Sequence, residues 1–443
     1  MSKLQQRHLT MIALGGAIGS GLFVGTGAGI AVAGPGIVIS FALASGLALL
    51  IMRMLGEMAA AYPSSGAFSV HAEKAMGPWA GFTTGWLYWC ALVVVLAVEA
   101  SGAARIANSW LPAVPQWTWV LLFMALFTAI NLVGVRSFGE FEFWFAGIKV
   151  AAIIGFLVLG GLAIFGLLPG TPAPGLTNLH DFLPHGWTGV VAGLLIVIFA
   201  YGGIEVVTIA AAEAEHPAQA VGRAIRDSVL RIVVFYLGSL AVVVTLLPWN
   251  DSAVDTSPYV AVLDRLGVPG AGALMSVVVF VALLSALNAT LYGASRMMFS
   301  LSGRGEAPAA LSATTDGVPR RAVLASTAFG FVSVLLNFVW PDTVFLYLLS
   351  AVSCVILVVW SLIALAQLRL RRKLERDSPE LLTLPMWGFP YLTWLALAGL
   401  AGIAVVMATN PEARVQLLST AALTAVVLIC GALRTRRRTR QPV

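Results

Sequence analysis

The feature that most constrains this chain is an apolar stretch near its N-terminus, residues 11–30, with glycine at its centre. The stretch carries no charge and is long enough to cross a bilayer, which takes about 20 apolar residues. Its middle, Gly19-Ser20-Gly21, is unfavourable inside a helix, because each glycine costs about 1 kcal/mol relative to alanine. We therefore predict a membrane span that breaks near its midpoint.

A break inside a membrane span has a chemical consequence. Backbone N–H and C=O groups must be satisfied in lipid, so a break is tolerated only where it is buried or faces water. The free amides at the start of the outer half suit a carboxylate, because helix N-termini carry a partial positive charge. The alternative is packing between helices, since Gly15/Gly19 and Gly21/Gly25 make small-xxx-small pairs.

A second apolar stretch is interrupted in a similar way between Tyr201 and Ile204, where Gly202 and Gly203 are adjacent. Glu205 follows directly, and an ionisable group at that depth usually faces a cavity or a partner. Carbonyl groups freed at this break would accept hydrogen bonds from an ammonium group. The alternative is a protonated glutamate packed against neighbouring backbone. Two interrupted spans at corresponding positions predict a secondary transporter with a substrate site near mid-membrane.

The composition agrees with a membrane protein. Hydrophobic residues make up 59% of the 443 residues and charged residues only 10%, whereas soluble domains carry about 25% charge. The net charge of +6 does not indicate nucleic-acid binding, because the basic residues form short clusters between apolar runs. Such clusters are typical of cytoplasmic loops, so both termini are predicted to be cytoplasmic.

We predict twelve membrane spans in one transmembrane domain that covers residues 1–443. Their bounds are about 9–32, 37–61, 79–107, 116–135, 142–167, 187–212, 228–248, 271–301, 322–340, 343–368, 387–408 and 414–433. The two interrupted spans are the first and the sixth, which predicts inverted repeats of five spans each. The first repeat covers 9–167, the second covers 187–368, and the last two spans, 387–433, follow.

Charged residues inside the predicted spans are candidates for carrying a proton. Lys149 lies about two turns into the fifth span and either snorkels to the interface or is buried, where it could carry a proton. Glu99, late in the third span, is a second and less favoured candidate, and pairing with Arg105 is the alternative. Arg53 and Glu57, four residues apart, are expected to form an ion pair.

Motifs of other protein classes are missing from the sequence. There is no Gly-Lys-Ser/Thr phosphate loop, and no HExxH helix or close set of Cys and His, so neither an ATP-driven pump nor a metalloprotease is indicated. Cys90, Cys354 and Cys430 lie far apart and are expected to be buried small hydrophobic residues. The five histidines are expected to be solvated. We predict no enzyme activity, no metal and no organic cofactor.

Several motifs together resemble a known family. The chain is similar to bacterial amino-acid permeases of the amino acid–polyamine–organocation superfamily in Arg7-His8, Ala13-Leu-Gly-Gly-Ala-Ile-Gly-Ser-Gly-Leu-Phe23, Met54-Leu-Gly-Glu-Met58 and Gly139-Glu-Phe-Glu-Phe-Trp144. Within that family it resembles the γ-aminobutyrate permeases in Val206-Val-Thr-Ile-Ala-Ala-Ala-Glu213, Arg231-Ile-Val-Val-Phe-Tyr236 and Pro390-Tyr-Leu-Thr-Trp394.

The resemblance implies an all-α membrane fold. Ten core helices would form two inverted repeats of five (LeuT-like), two C-terminal helices would follow, and helices 1 and 6 would be discontinuous. It also implies that the substrate carboxylate binds the backbone of Gly19, Ser20 and Gly21. The proton, rather than sodium, is expected as the coupling ion, because Lys149 matches the family's span-5 lysine.

The other end of the substrate is expected at the second break. Its amine would meet carbonyl groups near Ala17, Phe199 and Gly202, with Tyr201 beside them. Phe199 matches the position of an aromatic gate. Glu205 matches that of the family's acid in span 6.

The sequence thus predicts a proton-coupled importer of a zwitterionic amino acid, γ-aminobutyrate or a close relative, in the bacterial cytoplasmic membrane. The substrate and the lipid bilayer are its predicted partners. Three alternatives stay open. They are a permease for another neutral or aromatic amino acid, an exchanger without net proton flux, and a channel or non-transporting sensor.

Overall fold

Long apolar runs form α-helices throughout the described part of the chain, which contains no β-strand. The structure is a computed structural model that describes residues 18–64, 67–133, 135–170, 173–203, 217–255, 257–315, 317–341 and 343–438. In chain order the helices are α1 (Ser20–Phe23), α2 (Gly25–Ala33), α3 (Ile37–Ala61), α4 (Ala67–Met76), α5 (Pro78–Trp110), α6 (Gln116–Val133), α7 (Val135–Ile164), α8 (Gly186–Tyr201), α9 (Pro217–Arg231), α10 (Ser239–Leu246), α11 (Pro258–Arg265), α12 (Ala271–Gly303), α13 (Arg320–Gly330), α14 (Val332–Val339), α15 (Val344–Asp377), α16 (Tyr391–Thr409) and α17 (Pro411–Arg438).

Ten helical segments among the described residues are long and apolar enough to cross a membrane, and α8 is a shorter apolar helix. Leu43, Val158 and Phe338 expose more than half of their side-chain surface, as a lipid-facing surface of apolar residues requires. The prediction of an all-α integral membrane protein is therefore confirmed. The number of twelve spans stays a prediction.

A tight turn lets the first two predicted spans pack on a common partner. Between α2 and α3, Gly34–Gly36 forms a single 3₁₀ turn, and Gly34 has a φ of +62°, a conformation that favours glycine. Both α2 and α3 pack against α8. This arrangement brings the N-terminal glycine-rich segment and the end of α8 into the same part of the bundle.

The seventh predicted span begins earlier than its apolar run suggests. We expected it from about residue 228, but α9 begins at Pro217 and continues through a π-helical segment, Ile232–Gly238, into α10. The first turns of α9 are polar, so apolar length alone does not reveal them. Arg231 consequently lies well inside a continuous helical segment, where its side chain is fully buried.

The bundle has two distinguishable ends. α5 and α12 have 33 residues each, which corresponds to about 50 Å of helix, and α5 packs against α12. Asp264 on α11 lies near the C-terminal end of α5, and we call this the Asp264 end. The opposite end contains α4 and the C-terminal part of α15, and we call it the Arg371 end.

The expected ion pair between Arg53 and Glu57 is wrong. Arg371 on α15 lies with its Nη1 atom 2.5 Å from Oε2 of Glu57. Glu57 also accepts hydrogen bonds from the Gln367 side chain at 2.8 Å and from the backbone N–H of Met386 at 2.6 Å. Arg53 instead donates to a backbone carbonyl of the loop after α15. We call Glu57, Gln367, Arg371 and Met386 the Glu57 cluster.

Two further expectations about single residues are wrong. His71 on α4 is not solvated, since only 1% of its surface is exposed and its Nε2 atom lies 2.8 Å from the carbonyl oxygen of Tyr62. Burial lowers the pKa of His71 to about 4, so the ring is neutral at physiological pH. Cys430 is exposed on α17, although Cys354 is buried as expected.

Candidate functional site

The first glycine-rich break holds a carboxylate from another helix. Ile18 and Gly19 are not helical, and α1 begins at Ser20. The backbone N–H of Ser20 lies 3.1 Å from Oε2 and 3.3 Å from Oε1 of Glu99, and the Ser20 hydroxyl donates to Oε1 at 2.8 Å. Glu99 on α5 is 4% exposed. A buried carboxylate therefore binds the amide and hydroxyl at the start of α1.

This geometry settles how Glu99 is paired. The alternative in which Glu99 pairs with Arg105 is wrong, because both oxygens of Glu99 point to Ser20 and the Arg105 guanidinium lies over the ring of Phe345. Glu99 and Ser20 are 79 residues apart in the chain. Helix α5 thus places an acid at the break in the N-terminal segment.

Glycine at the break allows the helices to come close together. A Cβ atom on Gly21 would lie 2.5 Å from the Cα atom of Ala200 on α8. A Cβ atom on Gly19 would lie 2.7 Å from both Glu99 Oε1 and Ala286 Cβ. The two glycines are therefore required by contact with α8 and by the Glu99 carboxylate. Gly19 and Gly21 thus allow close helix packing, and they are also residues predicted to bind the substrate carboxylate.

Helix α8 ends at the second predicted break. Gly202 has extended backbone angles after Tyr201, and Gly203 has a φ of +90°, which favours glycine. The N–H of Gly202 bonds back to the carbonyl of Phe199 at 3.0 Å, and Phe199 is 5% exposed. Ala17 and Glu205, two residues predicted for the substrate site, lie outside the described residues.

Two tyrosine hydroxyls connect the last turn of α8 to neighbouring helical segments. The Tyr201 hydroxyl lies 2.6 Å from the Ser45 hydroxyl on α3. The Tyr236 hydroxyl donates to the carbonyl of Ala200 at 3.0 Å, and the rings of Tyr201 and Tyr236 are stacked. Tyr236 lies in the π-helical segment, and such segments are frequent at functional sites. Sequence reasoning did not identify Tyr236, because the π-helix has no signal in the apolar pattern.

Lys149 is buried and does not snorkel. Its side chain is fully buried, and its Nζ atom donates to the Ser285 hydroxyl at 2.8 Å and to the carbonyl of Ile18 at 3.3 Å. Ile18 directly precedes Gly19 at the first break. The ammonium group of α7 is thus bonded to the same backbone segment that Glu99 contacts from α5.

Glu142 is a buried acid that sequence reasoning missed. Its side chain is fully buried, and Oε1 lies 3.7 Å from Lys149 Nζ. The Ser285 hydroxyl donates to Oε1 and Oε2 of Glu142 at 2.8 and 3.0 Å. The sequence did contain a signal for this contact, because Glu142 and Lys149 are seven residues apart and residues at that spacing share one face of a helix. The predicted span began at residue 142, which made the acid look interfacial.

Six of the described residues therefore form one connected series of polar groups inside the bundle, which we call the polar chain. Glu99 bonds to Ser20, and the backbone leads from Ser20 back to Ile18. The Ile18 carbonyl accepts a hydrogen bond from Lys149, which also donates to Ser285, and Ser285 donates to Glu142. Buried Arg231 is the other cation that sequence reasoning missed, because it was placed at the edge of a span. No group of three or more His, Cys, Asp or Glu residues in the described part of the chain could hold a metal ion.

Comparisons with known proteins agree on one class of transporter. A family model described as amino acid permease matches residues 8–442. The chain is 47% identical over 431 residues to the gamma-aminobutyric acid permease of Bacillus subtilis, covering 96% of this chain and 92% of that protein. It is 47% identical over 426 residues to the aromatic amino acid transport protein of Corynebacterium glutamicum, covering 94% and 92%. It is 44% identical over 443 residues to the probable GABA permease of Pseudomonas aeruginosa, covering 99% and 93%.

Proposed function

Because the chain belongs to the amino acid permease family, we propose that it is a proton-coupled symporter that imports a zwitterionic amino acid, with γ-aminobutyrate as the favoured substrate. It is a membrane protein and not an enzyme. In this proposal the membrane is the bacterial cytoplasmic membrane, with both termini inside. Twelve spans form two inverted repeats of five and a C-terminal pair, and access alternates around the two glycine breaks.

The contact between Glu99 and Ser20 carries this proposal. We propose that the substrate carboxylate binds the backbone of Gly19, Ser20 and Gly21. The proposal is supported by the fact that a carboxylate already bonds to the Ser20 amide and hydroxyl. The substrate amine would then face the end of α8 near Phe199 and Gly202, with Ala17 and Glu205 completing the site.

The same contact supplies a mechanism for proton coupling. An ionised Glu99 and a substrate carboxylate compete for the donors of Ser20, and two negative charges at one buried site repel each other. Protonation of Glu99 removes that repulsion and weakens its bond to Ser20. Substrate and proton therefore bind together, and each raises the affinity for the other by the same factor.

Lys149 connects proton coupling to the conformation of the first glycine break. Its ammonium group bonds to the carbonyl of Ile18, so a change in its charge changes a contact of the N-terminal segment. Glu142 and Ser285 hold the ammonium group from the other side. A proton biases the conformational equilibrium only through different affinities for the two states, and this contact can differ between them.

Transport into liposomes tests the proposal. Purified protein is reconstituted, a pH gradient is imposed with the outside acidic, and uptake of labelled γ-aminobutyrate is followed with and without a protonophore. We expect saturable accumulation that the protonophore abolishes. Uptake that is unchanged by the protonophore, at the same membrane potential, would contradict proton coupling.

Aromatic amino acids are the second candidate substrates. The aromatic amino acid transport protein of Corynebacterium glutamicum is as similar to this chain as the γ-aminobutyric acid permease of Bacillus subtilis. A thermal-shift screen of the purified protein against γ-aminobutyrate, phenylalanine, tyrosine and tryptophan distinguishes the two, because a bound ligand raises the apparent melting temperature.

Counterflow distinguishes a carrier from the alternatives of another class. Unlabelled substrate inside the liposomes accelerates the entry of labelled substrate through a carrier, including an exchanger. A channel or a non-transporting sensor gives no such acceleration. We expect acceleration in the wild type.

A further inference from the structure

A cavity lies at the Asp264 end, outside the polar chain described above. Its volume is about 420 Å³, within the range of about 300–1,000 Å³ that is typical of small-molecule sites. It is lined by residues of α5, α11, α12 and α15 and by Val24 beside α1. The N–H of Val24 bonds to the carbonyl of Ser20 at 2.9 Å, so the cavity lies one helical turn from the first break.

The cavity is lined by one cation and one anion. Arg105 on α5 and Asp264 on α11 both line it, and both side chains are exposed. Neither makes an ion pair with another side chain of the described residues. Arg265, the neighbour of Asp264, pairs with Asp251 at 3.6 Å and does not line the cavity. Arg105 lies over the ring of Phe345, with its Cζ atom 5.8 Å from the ring centroid.

A buried hydroxyl group provides an independent indication of a ligand. Ser257, at the start of α11, is 8% exposed and lines the cavity. Its hydroxyl oxygen is buried and has no hydrogen-bond partner among the described residues. Leaving a buried polar group unsatisfied is costly, so such a group indicates a partner that is absent when the site is empty.

We propose that this cavity is a first binding site for the zwitterionic substrate on its way to the central site. The substrate carboxylate binds Arg105, the substrate ammonium binds Asp264, and Ser257 hydrogen-bonds to the bound molecule. A cation and an anion in one cavity select a ligand that carries both charges. The inference rests on the proposed function and on the orientation that places the Asp264 end outside the cell.

The test uses exchange of labelled γ-aminobutyrate into liposomes that contain the full-length protein and unlabelled γ-aminobutyrate, without a pH gradient. Arg105→Gln and Asp264→Asn each remove one charge that lines the cavity. Arg265→Gln is the control, because Arg265 lies beside Asp264 on α11 but does not line the cavity. We expect the half-saturating external concentration to rise about five-fold in R105Q and D264N, with the maximal rate unchanged. R265Q should behave as the wild type.

Ligands with a single charge distinguish a binding site from a pair of gating charges. 4-Acetamidobutyrate keeps only the carboxylate, and 4-aminobutanamide keeps only the ammonium. We expect R105Q to weaken inhibition by 4-acetamidobutyrate and D264N to weaken inhibition by 4-aminobutanamide, without cross effects. A gating pair would change both inhibitors equally in both variants, which would overturn the proposal. Failure of both compounds to inhibit the wild type would also overturn it.

Failure of this inference can be distinguished from failure of the proposed function. If the wild type exchanges neither γ-aminobutyrate nor phenylalanine, the proposed function is wrong and the first binding site is wrong with it. If the wild type exchanges phenylalanine instead, the same variants are tested with N-acetylphenylalanine and phenylalanine amide. If the wild type exchanges substrate and R105Q, D264N and R265Q all match it, only the first binding site is wrong.

Discussion

Two regions of this protein bury glutamates in membrane helices, and their partners differ. In the Glu57 cluster, the carboxylate binds an arginine, a glutamine side chain and a backbone N–H. Arginine remains protonated at all physiological pH values, so the Glu57 cluster always contains a cation beside its carboxylate. At the first break, the partners of Glu99 among the described residues are the backbone amide and the hydroxyl of Ser20. The same residue type is thus a fixed tether to an arginine in one region and, in our proposal, a group that exchanges a proton in the other.

Glu142 is intermediate between these two cases. Its cationic partner is Lys149, and lysine changes its charge far more readily than arginine when it is buried. In our proposal the partner, rather than burial alone, decides whether an intramembrane acid serves stability or transport. The predictions below test this distinction from the largest expected effect to the smallest.

The largest effect is expected at the tether. Glu57→Ala leaves Gln367 and the Met386 N–H without their acceptor and leaves Arg371 with Glu375 as its remaining carboxylate, and breaking a buried pair costs about 3–5 kcal/mol. We expect a large fall in the melting temperature and in the yield of folded protein. Any folded fraction should keep the pH dependence of wild-type uptake.

Glu375→Gln is the matched control, because Glu375 pairs with the same Arg371 but is largely exposed. It should cost less than about 1 kcal/mol. An E57A variant as stable as E375Q would show that the Glu57 cluster is not a tether.

The next largest effect is expected at Lys149, on the accumulation of substrate. Lys149→Met removes the ammonium group that bonds to the Ile18 carbonyl and to Ser285. We expect accumulation driven by a pH gradient to fall about ten-fold, within the usual range of coupling between sites. Lys74→Met on α4, which removes a lysine that lies over Tyr62, is the control and should accumulate substrate normally. Full accumulation in K149M would remove Lys149 from the mechanism.

A smaller effect is expected at Glu142. Glu142→Gln keeps an acceptor for Ser285 but removes the charge beside Lys149. We expect the pH profile of uptake to shift, with accumulation reduced about three-fold, because coupled sites change each other's affinities by modest factors. The measurement is uptake between pH 5 and 8 at a fixed gradient. An unchanged pH profile would make Glu142 a purely structural partner.

The smallest effect on transport is expected at His71, which has no part in the polar chain and acts on stability alone. Its pKa is lowered by burial from 6.5 to about 4, so the unfolded state binds a proton in this interval and the folded state does not. Stability should therefore fall as the pH decreases from 6.5 toward 4, by at most about 1.4 kcal/mol per pH unit. Melting temperatures of wild type and His71→Gln across this range measure the contribution. Parallel curves would contradict it.

The sequence predicted those features that depend on local composition. Apolar length gave most of the helices, and glycine pairs gave the positions where α1 begins and α8 ends. It did not predict partners between distant helices. The sequence spacing of Arg53 and Glu57 suggested a pair, but a loop more than 300 residues away competes for both. Glu99 lay close to Arg105 in sequence, yet it bonds to Ser20 because α5 passes the first break. Such choices depend on packing, which local patterns do not contain.

The central claim is that Glu99 exchanges its contact with Ser20 for a proton when substrate binds. Proton uptake on substrate binding tests it most directly, measured with a pH indicator on purified protein in weak buffer, with wild type, Glu99→Gln and the control E375Q. We predict that the wild type and E375Q take up protons as they bind substrate, whereas E99Q binds substrate without proton uptake. Equal proton uptake in E99Q and wild type would contradict the claim.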